Sequence, residues 1–227
     1  MLRLQGVRYA WPGATADCLD IDALHIAAGR TLFLHGPSGC GKSTLLGLMA
    51  GVLVAREGTV ELLGQDWAKL PGGQRDLRRV DHVGVIFQQF NLLPYLTVMD
   101  NVLLPTRFSK ARATRCIGSP DAAAQALLER VALPATLWHR RADALSVGQQ
   151  QRVAAARALI GAPELVIADE PTSSLDNARR DDFMALLMDA CAASGSTLVF
   201  VSHDERLAAR FDERLSLPEL NRASSVA

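Results

Sequence analysis

Apolar and polar residues alternate in LRLQGVRY near the amino terminus and in LDIDALHI at 19–26, the period of a strand with one buried face. TLFLH at 31–35 is a short apolar run that ends on Gly36. From Lys42 the pattern becomes helical in TLLGLMAGVL, so a glycine-rich loop lies between a strand and a helix. GTVELLG at 58–64 and VGVIF at 83–87 predict two further strands.

Residues 89–160 differ. TVMDNVLL and DAAAQALLERV carry apolar residues at i, i+3 and i+4. Pro94, Pro105, Pro120 and Pro134 punctuate the stretch. SVGQQQRVAAARALI predicts one helix with Ser146 at its cap. Strand–helix alternation then returns: ELVIAD as a strand, 176–194 as a helix, TLVFVS as a strand, ERLAARF as a helix and a frayed RASSVA tail. Continuous apolar strands alternating with helices predict an α/β fold with a mainly parallel sheet covered on both faces. The amino-terminal alternating strands form an antiparallel β patch. The expected organisation is one domain over 1–227, with 1–88 and 161–227 as the core carrying that patch and 89–160 as an inserted helical subdomain.

Composition narrows the classes. With 49% apolar residues over 227, the chain can build a full core. The 24 basic and 24 acidic side chains cancel, which gives no overall footprint for nucleic acid. Cys18, Cys40, Cys116 and Cys191 are scattered without a C-x-x-C pair, and the five histidines lack metal-ligand spacing. No run approaches the ~20 apolar residues of a membrane span, and the amino terminus does not read as a signal peptide. A soluble chain is expected, with any membrane role exercised through a partner.

The strongest chemistry is GPSGCGKST, which satisfies G-x-x-x-x-G-K-[ST]. Gly36, Pro37, Ser38, Gly39, Cys40 and Gly41 form a loop whose backbone N–H groups can turn toward phosphate oxygens. Lys42 adds a point charge at the β- and γ-phosphates, Ser43 offers a hydroxyl to magnesium, and Thr44 continues into a helix whose N-terminus favours anions. The predicted ligand is ATP with Mg2+. The strand LVIAD ends in Asp169-Glu170-Pro171, acids at the carboxyl end of a parallel strand, where a ligand crevice opens. Asp169 suits magnesium, directly or through water, and Glu170 suits polarisation of an attacking water. An ordinary acidic strand end is the alternative for this pair alone.

With those two elements in order, the chain resembles an ABC transporter ATP-binding subunit. LSVGQ at 145–149 is similar to the LSGGQ signature, and QQQRVAAARAL continues it. Gln88 in IFQQFNLLP stands at the Q-loop position, SSLD at 173–176 at the D-loop, and His203 in VFVSHD at the switch histidine. Trp11 in YAWPG falls where the family has an aromatic that stacks on adenine, with Tyr9 the competing, packing aromatic. Val147 departs from the family's glycine; Ala168 and Ser174 are mild departures.

The resemblance implies a P-loop NTPase core of RecA-like type and an ATPase. It implies catalytic roles for Glu170, His203 and Gln88, and magnesium at Ser43, Gln88 and Asp169. Nucleotide contacts are implied for Trp11, residues 36–44, Ser146, Gly148, Gln149 and Asp176, the signature contacts being made to the nucleotide of a second copy. The resemblance thus implies a head-to-tail homodimer with two-fold symmetry. Integral membrane permease subunits on separate chains are the implied partners. They would hold the chain on the cytoplasmic face of the cell membrane, near the apolar stretch Phe90-Asn91-Leu92-Leu93. The lipoprotein-releasing and macrolide-exporting group is most similar. The alternative is an ABC-type ATPase that regulates a membrane, cell-wall or cell-division partner without moving solute. DNA-repair relatives carry long coiled-coil insertions, translation factors carry two ATPase cores, and a GTPase carries N-K-x-D; none of these is found in the chain.

Overall fold

In the computed structural model the described residues are 1–173 and 176–223. Nine strands run β1 Leu2–Tyr9, β2 Leu19–Ile26, β3 Thr31–His35, β4 Glu57–Leu62, β5 Gln65–Asp66, β6 Val83–Ile86, β7 Leu165–Asp169, β8 Thr197–Val201 and β9 Glu213–Ser216 among these residues. The helices are α1 Lys42–Met49, α2 Gly72–His82, α3 Val98–Phe108, α4 Lys110–Arg115, α5 Pro120–Arg130, α6 Val147–Leu159, α7 Asn177–Ser194 and α8 Leu217–Leu220. The chain divides into two compact units, Met1–Arg79 with Val199–Ala227, and Val80–Leu198.

The first unit holds the antiparallel sheet β2-β1-β4-β5. Its alternation is visible in burial: Leu2, Leu4, Val7 and Tyr9 of β1 point inward, as do Leu19, Ile21, Leu24 and Ile26 of β2. β1 pairs with β2 from Leu2–Ile26 to Tyr9–Leu19, a register that puts the apolar faces on one side. In the same unit β3 pairs in parallel with β9, from Leu32–Glu213 to His35–Ser216. Phe33 of β3, Phe200 of β8 and Phe211 just before β9 cluster with ring centroids 5.4–6.4 Å apart. The end of β3 is thus fixed, and it is from this end that the phosphate loop leaves.

The second unit holds the helical segment expected at 89–160 together with β6 and β7, paired in parallel from Val83–Leu165 to Ile86–Ala168. β8 contributes Thr197 and Leu198 to this unit and its remaining residues to the first; the strand order of its sheet is β6-β7-β8-β3-β9. Helix α6 lies directly against β6. A Cβ on Gly84 would fall 2.2 Å from the Ala158 carbonyl oxygen, so only glycine permits this backbone approach. The helix buries Val153, Ala154, Ala155, Ala156 and Ala158, small residues that suit so close a contact.

An ionic cluster ties the entry ends of β6 and β7. His82 Nδ1 lies 2.8 Å from Glu164 Oε2, and Arg115 Nη1 donates to Glu164 Oε1 at 2.8 Å. The Ser109 hydroxyl and the Arg115 guanidinium meet the side chain and carbonyl of Asp81. Burial opposes ionisation of Glu164. The His82 hydrogen bond, a backbone hydrogen bond, and the charges of His82 and Arg115 outweigh it and bring its pKa from 4.5 down to about 2. Beside it Arg112 is 1% exposed, and burial, reinforced by Arg115, lowers its pKa to about 10. A depressed carboxylate pKa contributes stability that is complete above the unfolded value and fades as pH falls through the folded one. Glu164→Gln should therefore cost about 1 kcal/mol at pH 7, discounted for a side chain that is one-third exposed. Urea melts at pH 7 and pH 3 should show the gap between wild type and variant narrowing as the pH drops from 4.5 toward 2.

Candidate nucleotide site

β3 stops at His35 and α1 starts at Lys42, so the six residues 36–41 must reverse the chain. Gly41 has φ 101°, a left-handed backbone that favours glycine, and a Cβ there would sit 2.9 Å from Leu19 Cδ2. Because Gly41 has no side chain, no side-chain hydrogen bond caps α1. The free N–H groups of the first turn are left for a ligand. Lys42 is 8% exposed, and its ammonium donates to the carbonyls of Gly36 and Pro37, each at 2.9 Å. An ammonium has three donors, so one remains for a phosphate oxygen. Pro37, Ser38, Gly39 and Ser43 are exposed, Gly36 and Cys40 half-buried, and Thr44 is buried.

Trp11 and His203 belong to this same unit. Trp11 is 49% exposed and meets Tyr9 edge-on at 5.4 Å, whereas Tyr9 is 8% exposed. The aromatic with a free face is thus Trp11. Burial, then the neighbouring Cys18, pushes the Tyr9 phenol up. His203 is exposed at the end of β8. Its neighbours are fixed: the Asp204 N–H donates to the Ser202 hydroxyl at 3.1 Å, and the Asp204 carboxylate accepts from the Arg206 N–H at 3.3 Å. ERLAARF, expected as a helix, forms a short 3-10 helix over Glu205–Arg210, started by this Asp204 cap.

The second unit carries the acids. β7 is buried to Ala168, and Asp169 and Glu170 emerge half-buried. Glu170 has φ 45°, a left-handed backbone that is uncommon outside glycine and that collects at functional sites. The Ser173 N–H donates to the Glu170 carbonyl at 3.2 Å and closes the turn. The buried Gln151 of α6 donates to the Pro171 carbonyl at 2.8 Å. Sequence reading passed over Gln151; its place in the QQQR run was the available signal.

At the start of α6 the Ser146 hydroxyl accepts from the Gln149 N–H at 3.4 Å, and the Gln149 side chain accepts from the Ser146 N–H at 3.0 Å, a capping box. The hydroxyl serves there as acceptor, so its own O–H remains a donor. Val147 is 50% exposed, and nothing lies within 4 Å of a Cβ built on Gly148. The valine therefore points away from the packed side of the helix and leaves the Gly148 backbone open. Asp176 caps α7 by accepting from the Arg179 N–H at 2.9 Å. Ser174 and Leu175 of the expected D-loop lie outside the described residues. Gln88 is exposed just beyond β6. Of the stretch expected to meet a partner, Phe90 is 5% exposed and Leu92 and Leu93 are half-buried; the exposed apolar side chains nearby are Phe87 and Tyr95.

These features match a known family. The ABC transporter description fits residues 19–173. The chain belongs to the ABC transporter family. It is 42% identical, over 95% of its length and 90% of the other's, to the lipoprotein-releasing system ATP-binding protein LolD of Anaeromyxobacter dehalogenans. It is 41% identical, over 86% of its length and 83% of the other's, to the uncharacterized ABC transporter ATP-binding protein YbbA of Escherichia coli. Among solved structures, the ATP-binding cassette MJ0796, dimeric and bound to ADP and Pi in a post-hydrolysis state, superposes with a TM-score of 0.83 at 32% identity, covering 100% of this chain and 99% of that one. The chain is an ABC ATPase, and ABC ATPase domains bind ATP with Mg2+. The glycine loop of the first unit, with its uncapped helix start and buried Lys42, fits the phosphates, and the Ser43 hydroxyl beside it is an oxygen donor of the kind a hard cation takes.

The uncapped start of α1 yields a direct expectation. Gly41→Ala strains the backbone and crowds Leu19, and ATP affinity should fall about tenfold or more in a fluorescent-nucleotide titration.

Proposed function

We propose that the chain is the ATP-hydrolysing subunit of a transport complex of the lipoprotein-releasing type, with membrane-embedded subunits on separate chains. The observation that supports this most is the likeness to LolD across nearly the whole of both chains. No helix among the described residues is long and apolar enough to cross a membrane, which fits a subunit that reaches the membrane through partners on its cytoplasmic face. The chain acts as one ATPase domain, with 89–160 as the helical signature subdomain.

The work of each residue follows from its chemistry. The amides of 36–44 and the Lys42 ammonium hold the β- and γ-phosphates, and the free face of Trp11 stacks on adenine. Ser43, Gln88 and Asp169 would hold magnesium, which when bound supplies positive charge to the phosphate oxygens. Glu170 accepts a hydrogen bond from the attacking water and orients it in line with the γ-phosphorus. His203 donates to the γ-phosphate and stabilises the charge that grows there.

The second phosphate end sits on α6. Its open Gly148 backbone, the free O–H of Ser146, and Gln149 with Asp176 serve the nucleotide of another copy. The dimeric state of MJ0796 supports assembly of two copies. ATP then closes the dimer and hydrolysis reopens it, which converts binding energy into movement of the membrane partners.

Glu170→Gln is the sharpest test. The variant should bind ATP with wild-type affinity, lose at least about a hundredfold in kcat and accumulate as an ATP-bound dimer on size exclusion. Full turnover in Glu170→Gln would remove Glu170 from the chemistry.

A further inference from the structure

The loop that follows Gln88 is held in an unusual backbone. Phe90 has φ 58° and Asn91 φ 48°, two consecutive non-glycine residues in the left-handed region. That region is disfavoured for a bulky aromatic and persists only where the surroundings enforce it. Two backbone bonds fold the turn, Phe90 N–H to Phe87 O at 2.9 Å and Asn91 N–H to Gln89 O at 2.6 Å. The enforcing group comes from another element. Arg157, near the end of α6, donates Nη2 to the Phe90 carbonyl at 2.5 Å and Nη1 to the Asn91 carbonyl at 2.7 Å. Farther along, Asn101 of α3 accepts from the Leu93 N–H at 2.8 Å and donates to the Leu93 carbonyl at 3.1 Å. Gln88 and Gln89 lie exposed between β6 and the first of these clamps.

Arg157 sits eleven residues beyond Ser146 on one unbroken helix, roughly 16 Å along its axis. Its guanidinium is half-buried, and burial lowers its pKa. A planar fork that grips two successive carbonyls transmits rotation as well as translation; a single ammonium would act as a swivel. We propose that Arg157 is a positioning residue that couples the signature helix to Gln88: displacement of α6 on engaging a phosphate is passed through the Phe90 and Asn91 carbonyls to the glutamine. This rests on the reading of Gln88 and the signature as parts of the nucleotide machinery. It assigns to Arg157 a role in turnover; the contacts of Lys42 with Gly36 and Pro37 that shape the phosphate loop do not involve it.

The test uses Arg157→Met, which keeps the stem and removes the fork, and Arg157→Lys, which keeps the charge. ATP affinity by titration, kcat at saturating Mg-ATP and thermal stability are measured on the full chain. Arg157→Met should lose roughly tenfold in kcat with affinity within about twofold of wild type, and Arg157→Lys should recover only part of the loss. Wild-type kcat in either variant overturns the proposal. So does a fall in kcat and affinity together, which marks a merely structural role. Should Arg157→Met fail to fold, Arg157→Lys decides by the same criteria. Glu170→Gln measured alongside separates the two readings: turnover lost there but intact in Arg157→Met defeats this inference alone, and turnover intact in Glu170→Gln defeats the functional reading beneath it.

Discussion

The first N–H groups of a helix must find partners, and in this chain the difference between helices lies in who supplies them. Thr97, Ser109, Ser119, Ser146 and Asp176 each cap their own helix with a side-chain oxygen. Gly41 cannot, and α1 opens without a cap. The strand that leads into it is held by the parallel pairing of β3 with β9 and by the aromatic cluster around Phe33. With β3 fixed, the loop it launches holds its shape and keeps its amides for phosphate. Lys42, tied back to Gly36 and Pro37, brings its charge to the same place.

The second unit solves a different problem, the relative placing of several short functional segments. Asp169-Glu170, Gln88 and the signature each lie at the end of a regular element, and α6 touches all three. Its N-terminus is the signature, Gln151 grips the turn after Glu170, and Arg157 grips the loop after Gln88. Gly84 lets the helix seat directly on β6, while the cluster around Glu164 anchors the far ends of β6 and β7. One helix thereby acts as the spine of the unit. Polar side chains reaching backbone carbonyls carry this role, a kind of contact that fixes geometry more than it adds stability.

The parts of the fold written in periodicity were legible. β1, β2 and β3 show their alternation or apolar run, and their limits follow from it. α6 was marked by Ser146 at its cap. Other elements carry no such mark. α2 buries no residue, so its RDLRR sequence shows no apolar face. β9 has three half-buried residues and one exposed, none fully buried, and exists through its pairing with β3. β5 has two residues and α4 six, too short for a period to appear. In the site, the glycine loop, the acids and Ser146 were legible because their chemistry requires fixed spacing. Gln151 and Arg157 were not: each reads as an ordinary polar helix residue, and its partner is a carbonyl far away in sequence.

The central claim is that each chain carries two half-sites, a phosphate loop and a signature end, completed only across two copies. Mixing two inactive variants tests it most directly. Lys42→Ala lacks the phosphate charge, and Ser146→Arg blocks the signature end, so each alone should be almost without ATPase activity. In a mixed dimer one composite site pairs an intact loop with an intact signature. The account predicts that activity reappears on mixing, in proportion to the mixed dimer formed. A mixture as inactive as its components, with mixed dimers shown to be present, would contradict it.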